Sequence, residues 1–371
     1  MVFTLPYLEV KRDDRIDPGL NLGLEGIEIV PGDDERVNEI VSWSPAAETW
    51  LNSFETHLGH KIIPAVLIVR RDWMKRLGKD PEPIVAFRNA VALSNVMICR
   101  ARGPERSFIG APWSDAFDFH ASQLTVDGGR VDVSTPAVSS FGVPLDSLRI
   151  ALDPAFPRRR FGLSDDYLAV WLGRLWKDRY LRRRRIRKTA AVFRSLELAY
   201  HAASVQFKNY GSIHDAGLSS VLWVSAVETL ASHGRKGNVG KAACLDLLAD
   251  PPKIKESALL ARWYRVVVNR RPRQVNVAQK IYDLTYRARN KFVHGDQVSP
   301  SLLLPFAKKR GPPLLELATT IYRMCLVRHL MTIESGKWKP DWRMGMFTHY
   351  EYEKHLLRAQ GKARRRHEPN D

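Results

Sequence analysis

Residues 164–176 read SDDYLAVWLGRLW, and they decide how the larger part of this chain folds. Ser164 followed by Asp165 and Asp166 predicts a helix start: a short polar side chain accepts from the free backbone N–H groups, and carboxylates suit the positive end of the helix dipole. Tyr167, Leu168, Trp171, Leu172, Leu175 and Trp176 then recur at three-and-four spacing, which draws one apolar stripe along a helix and assigns it to a core.

Downstream the same period repeats. Phe193, Leu196, Tyr200, Ala203 and Phe207 predict a second helix, and the apolar run VLWVSAVETLA predicts a third, buried on most sides. Leu259, Leu260, Trp263, Tyr264, Val267 and Val268 predict a fourth, residues 275–293 a fifth and 314–330 a sixth. Short Gly- and Pro-containing connections between them suit a bundle. Upstream, Pro154 and Pro157 interrupt any periodic element just before Arg158 to Arg160, so the boundary is placed at 155/156. The first half reads differently. LEGIEIV alternates, IIPAVLIV is a short apolar run, and SQLTVDGGRVDVS sets two alternating segments around Asp127-Gly128-Gly129, a hairpin with Leu124, Val126, Val131 and Val133 on one face. ETWLNSFETHLG and DPEPIVAFRNAVALSNVM look helical. The expected fold is mainly α: a helical bundle over 156–345, preceded by a smaller α+β domain over 1–155 and followed by a basic tail over 346–371. That tail, whose end GKARRRHEPND lacks apolar residues, is expected to be disordered.

The chain has 371 residues and a formal net charge of +18, unevenly placed. Residues 1–150 hold 16 Lys and Arg against 21 Asp and Glu, a net of −5, whereas residues 151–371 hold 42 against 19, a net of +23. A basic surface releases condensed counterions from polyanions, so the second half is where nucleic acid is expected to bind. Three runs carry the charge: Arg182, Arg183, Arg184 and Arg185 with Arg187 and Lys188; Arg270, Arg271 and Arg273; and Lys308 to Arg310. Solvated helix faces are the ordinary alternative for such runs. Cys99, Cys244 and Cys325 lie far apart without a C-x-x-C pair, which suggests neither a zinc site nor a disulfide framework. No apolar run reads as a membrane span and the N-terminal segment is too short for a signal peptide, so a cytoplasmic protein is expected.

The chemistry concentrates in RARNKFVHGD, Arg287 to Asp296. Gly295 and Pro300 suit a helix end, placing His294 in or just past the last turn, where the dipole favours the imidazolium and a proton can be exchanged near neutral pH. Arg289 or Arg287 offers a planar fork for a phosphate, and Asn290 can share the face of His294. An ideal helix sets Arg289 about 140° from His294 and Arg287 within about 20° of it. A helix-end pair that caps carbonyls or bridges a neighbour is the bland alternative. Glu228, inside an apolar run, needs a partner or a path to solvent. GRKGNVGKA has five residues between Gly234 and Gly240 where a phosphate loop has four, and it lacks the Ser or Thr. Asp115, Asp118 and His120 lack a fourth ligand, so no metal site and no cofactor is expected.

These residues resemble the HEPN superfamily, and within it the Apea-like HEPN proteins, whose signature is an arginine, four to six residues and a histidine. Both Arg287 and Arg289 fit that pattern with His294; the resemblance ranks Arg289 first, at the commoner spacing and directly before the polar Asn290, with Arg287 in reserve, while VSAVETLASHG is similar to the upstream helix with an embedded glutamate and LLELATTIYRMCLVRHL to the helix that follows. The resemblance covers about residues 164–335. It implies an all-helical fold, metal-independent RNA cleavage at a site built across a homodimer with Arg289, Asn290, His294, Arg287 and Glu228 as site residues, and a role in RNA turnover or phage defence. RNA is the expected partner, with Lys291 beside the motif as a further phosphate contact. Inactive members imply a non-catalytic RNA- or protein-binding module as the alternative.

Overall fold

A computed structural model describes residues 2–10, 20–77, 80–103, 113–124, 130–135, 138–144, 149–152, 158–160, 163–184, 186–204, 212–232, 239–250, 262–306, 311–333 and 341–361. Arg185, the run Lys308 to Arg310, Leu259 and Leu260, the Asp127 to Gly129 turn and the tail beyond Gly361 lie outside them.

The chain is mainly α-helical and divides into two compact units, residues 1–80 with 114–161 and residues 81–113 with 162–371. The first unit carries a six-stranded sheet of β1 (Val2–Leu5), β3 (Ile27–Val30), β5 (Ala65–Val69), β6 (His120–Leu124), β7 (Arg130–Thr135) and β8 (Val138–Pro144), in the order β3-β5-β1-β6-β7-β8 with every pairing antiparallel. The hairpin read from SQLTVDGGRVDVS is β6–β7, with Leu124 opposite Val131. Two short parallel pairs complete it: β2 (Leu8–Glu9) with β10 (Arg159–Arg160), and β4 (Phe54–Thr56) with β9 (Ile150–Leu152). Helices α1 (Glu35–Ser42), α2 (Pro45–Leu51) and α3 (Arg71–Leu77) belong to this unit. The stretch expected to be one helix, ETWLNSFETHLG, breaks at Asn52 into α2 and β4, because Trp50 and Phe54 turn into one apolar cluster with Leu152.

The second unit contains α4 (Glu82–Arg102), α5 (Asp166–Trp176), α6 (Arg187–Ser204), α7 (Ile213–Ala231), α8 (Lys241–Leu247), α9 (Val277–Val293), α10 (Pro300–Leu303), α11 (Leu314–Ile333) and α12 (Met346–Ala359). The boundary expected at 155/156 is therefore incomplete: α4 leaves the first half of the sequence and packs against α5, α6, α11 and α12. That helix is long and apolar enough to cross a membrane by length and composition, a feature the sequence reading passed over, but 89% of its most apolar window is buried within the unit. Asp165, one residue after the expected Ser164, caps α5 by accepting from the Leu168 N–H at 3.2 Å. The stripe on α5 is core, with Trp171 and Trp176 fully buried. Burying such side chains contributes about 1.5–3 kcal/mol each, which outweighs local propensity in seating the helix. All three cysteines are buried.

Two further expectations are corrected. The fourth helix is a hairpin, β11 (Tyr264–Val268) with β12 (Arg271–Val275). The β-branched run Val266-Val267-Val268 and Pro272 oppose a helix, and the turn at Asn269-Arg270 reverses the chain. The segment expected as the start of a basic tail is α12, whose Tyr352, Leu356 and Ala359 recur at helical spacing and are fully buried.

Candidate functional site

Helix α9 carries most of the residues singled out above, and both of its ends are fixed by local sequence. At the start, Asn276 and Gln279 form a capping box: the Asn276 Oδ1 accepts from the Gln279 N–H at 2.9 Å, and the Gln279 Oε1 accepts from the Asn276 N–H at 3.0 Å. At the end, Gly295 takes φ +76°, its N–H donates to the Phe292 carbonyl at 3.2 Å, and the Asp296 N–H donates to the Lys291 carbonyl at 2.8 Å. That is a Schellman ending, which requires the left-handed residue at Gly295 and leaves His294 as the C-cap. The histidine-glycine pair thus has a structural reason as well as a chemical one.

Phe292 fixes where this end sits. A Cβ on Gly217 of α7 would lie 2.0 Å from the Phe292 ring, so only glycine there allows the ring to lie over α7. The Phe292 ring also meets that of His214, 6.3 Å between centroids. His214 and His294 are both exposed. His214 had no signal in the sequence, since eighty positions separate it from the motif and only the packing of α7 on α9 brings it near.

The site residues fall into two groups. Arg289 is half-buried: its Nη1 donates to the Asn290 Oδ1 at 2.9 Å, and its guanidinium lies 5.8 Å from the Tyr286 ring centroid. Burial raises the Glu228 carboxyl above its ordinary value and the positive Arg289 opposes part of that rise, so these two groups share one environment between α7 and α9. Lys241 approaches the same Tyr286 ring at 5.7 Å, while its ammonium pairs with the buried Asp283 and donates to the Val267 carbonyl at 3.1 Å. The lysine of the sequence that looked like a phosphate loop is therefore a clamp between α8, α9 and the hairpin. Arg287 and His294 form the second group. Both are exposed, neither side chain has a hydrogen bond or ion pair with a described residue, and the seven-residue separation sets them within about 20° on the helix. A hydrogen bond joins Arg289 to Asn290, the charge of Arg289 is felt at Glu228, and no bond joins Arg289 to His294.

The cations assigned to phosphate binding also divide. Asp178 holds Arg182 at 2.7 Å and Arg184 at 3.7 Å just past a π-helical turn over Lys177–Leu181, with both arginines still exposed. Arg187 is exposed at the start of α6, whereas the Lys188 ammonium donates to the Thr332 carbonyl at 3.3 Å and is not available in the same way. Arg273 pairs with Asp246 at 2.9 Å, and Lys291 donates to the Gln297 carbonyl at 3.4 Å.

The raised Glu228 carboxyl gives a pH test of this environment. A carboxyl that binds its proton more tightly when folded adds stability at low pH and loses it as pH rises through the unfolded and then the folded pKa. Glu228→Gln, which keeps the shape and removes the charge, should melt with the parent near about pH 4 and above the parent near about pH 8. Thermal melts at the two pH values check this; an equal or lower melting temperature at the higher pH would show that pairing with Arg289 outweighs burial.

No family model matches this chain, and neither a curated protein nor a solved structure does.

Proposed function

We propose that this chain is a metal-independent endoribonuclease of the HEPN kind, acting as a homodimer on RNA. The observation that carries the reading is the exposed His294 at the capped end of α9, with Arg287 in phase beside it. In this chemistry the ribose 2′-oxygen attacks the adjacent phosphorus, the bond from phosphorus to the 5′-oxygen breaks, and the products carry a 2′,3′-cyclic phosphate and a 5′-hydroxyl. His294 moves the proton on or off the reacting oxygens, and a guanidinium neutralises the charge that builds on the non-bridging oxygens. Arg287 is the freer of the two arginines for that contact, and Arg289 with Asn290 and Glu228 holds the helix end from behind.

A second copy supplies what one lacks. Ile213, Leu218 and Val293 are exposed apolar side chains on the first two turns of α7 and the last turn of α9, which Phe292 packs together, and a two-fold contact there would bury them while bringing two motifs together. A growth-arresting role against phage is the setting the resemblance implies.

The commitment of Arg289 to Asn290 favours a second reading, in which the arginine is structural and the bundle binds RNA or protein without cutting. Cleavage separates them. With an unstructured RNA and an all-deoxy strand of the same sequence, cleavage of the RNA alone, persisting in chelator and leaving 2′,3′-cyclic phosphate ends, supports the nuclease. Binding of both strands with no cutting supports the binding module. Cutting abolished by chelator would sink the proposed mechanism.

A further inference from the structure

The β11–β12 hairpin carries Arg265, Arg270, Arg271 and Arg273 and no carboxylate. Between Glu256 and Asp283 the sequence holds Arg262, Arg265, Arg270, Arg271, Arg273 and Lys280 and no acidic residue. One side of the hairpin is anchored, with Val266, Val268 and Val275 buried, the Val267 carbonyl accepting from Lys241, and Arg273 paired with Asp246. The other side is open. Trp263, one residue ahead of β11, continues the parity of Arg265 and Val267; Trp263 is 55% exposed and Val267 62%. Opposite them across the strand pair stand Gln274 and Pro272, both exposed.

The turn departs from what turns prefer. Asn269 and Arg270 take φ +50° and +63°, the two left-handed positions of a tight hairpin, where glycine is the usual second residue. A side chain kept at such a position marks a site where another demand overrides backbone ease. Here the side chain is an arginine at the tip, followed by a second. Neither Arg265, Arg270 nor Arg271 makes a side-chain hydrogen bond or ion pair with a described residue.

We propose that this hairpin grips unpaired RNA, with the Trp263 indole stacking on a base while Arg265 on the same side and Arg270 at the tip hold the phosphates on either side. Guanidiniums around an open indole match a polyanion whose bases are accessible: stacking is tolerant of sequence, needs a base free of its pair, and works alongside phosphate contacts. A membrane surface fits less well, because Arg265 and Gln274 break the apolar area into separate side chains too small to sink. The inference rests on the reading of this chain as an RNA-binding protein and not on cleavage. Lys241, which touches both the hairpin and the Tyr286 face of α9, ties the grip to the helix that carries the motif.

The test measures equilibrium binding of the full chain to an unstructured all-deoxy strand, to its RNA counterpart and to an RNA duplex of equal length. Trp263→Ala should weaken binding of both unpaired strands by roughly 5- to 100-fold and leave the duplex within about twofold, while Trp263→Phe recovers most of the loss. Arg265→Ala with Arg270→Ala should flatten the salt dependence on unpaired strands by roughly one to one and a half in the log–log slope. Both sites are exposed, so circular dichroism should match the parent. The inference is overturned if Trp263→Ala binds unpaired strands as the parent does, if duplex and unpaired RNA lose equally, or if the parent binds no unpaired strand. It is also overturned if Trp263→Ala loses only binding to phosphatidylserine vesicles. Because the deoxy strand offers no 2′-hydroxyl, a chain that grips it through Trp263 yet never cuts RNA would refute the nuclease reading and leave the hairpin inference standing.

Discussion

If the proposed nuclease reading holds, His294→Ala should lower the rate of RNA cleavage by a factor on the order of 10² to 10⁴ and leave RNA affinity nearly unchanged. The size is that of a positioned general acid or base, and the unchanged affinity follows because the ring is one exposed group beside many cations. The two arginines sharpen the result. Arg287 has no partner among the described residues, so Arg287→Ala should lower kcat with the melting temperature unmoved. Arg289 is half-buried against Tyr286 and Asn290, so Arg289→Ala should lower the melting temperature as well. Single-turnover cleavage at saturating RNA, beside thermal melts of each variant, reads all three. A His294→Ala protein that cuts as fast as the parent would remove the imidazole from the mechanism.

Asp165→Ala should cost about 3–5 kcal/mol of stability, the largest structural effect expected from one substitution. Asp165 and Arg323 are both fully buried, and the Arg323 Nε donates to the Asp165 Oδ2 at 2.9 Å. The guanidinium lies 4.6 Å from the Tyr352 ring centroid, and its Nη1 and Nη2 have no hydrogen-bond partner among the described residues. Removing the carboxylate therefore leaves a buried cation with no counter-charge. It also takes away the α5 cap at Leu168, while the Thr348 hydroxyl keeps its bond to the Gly345 carbonyl at 2.8 Å. Urea melts measure the loss. A combined Asp165→Leu and Arg323→Met protein should recover most of it, since replacing both partners removes the unpaired charge. An Asp165→Ala protein within about 1 kcal/mol of the parent would mean that water or repacking serves Arg323 as well as the carboxylate does.

That ion pair shows what pattern reading misses. Asp165 was legible as part of a helix start from its neighbours alone, but its partner lies in a different helix far along the chain, and no local spacing announces a pairing across that distance. Helix α4 was missed as a bundle member for the same reason. Its residues spell a helix, yet which core it joins depends on α5, α6, α11 and α12. The hairpin was misread because Trp263, Tyr264, Val267 and Val268 satisfy a helical period as well as an alternating one, and the turn at Asn269-Arg270 lacks the glycine that would have marked it.

At the motif the division is the same. The sequence by itself determined that α9 ends at His294, because Gly295 is the residue that takes a left-handed φ without strain and the Schellman bonds follow from that one position. It also determined the phase of Arg287 on His294, since helical periodicity is a local property of the backbone. Only the tertiary structure decided that the charge of Arg289 acts on Glu228 while Arg287 stays open, that Gly217 makes room for Phe292, and that Lys241 closes on Asp283. Those outcomes depend on which helix lies beside which. Burial against a neighbour sets them, and burial is a property of the packed whole that no stretch of the chain carries alone.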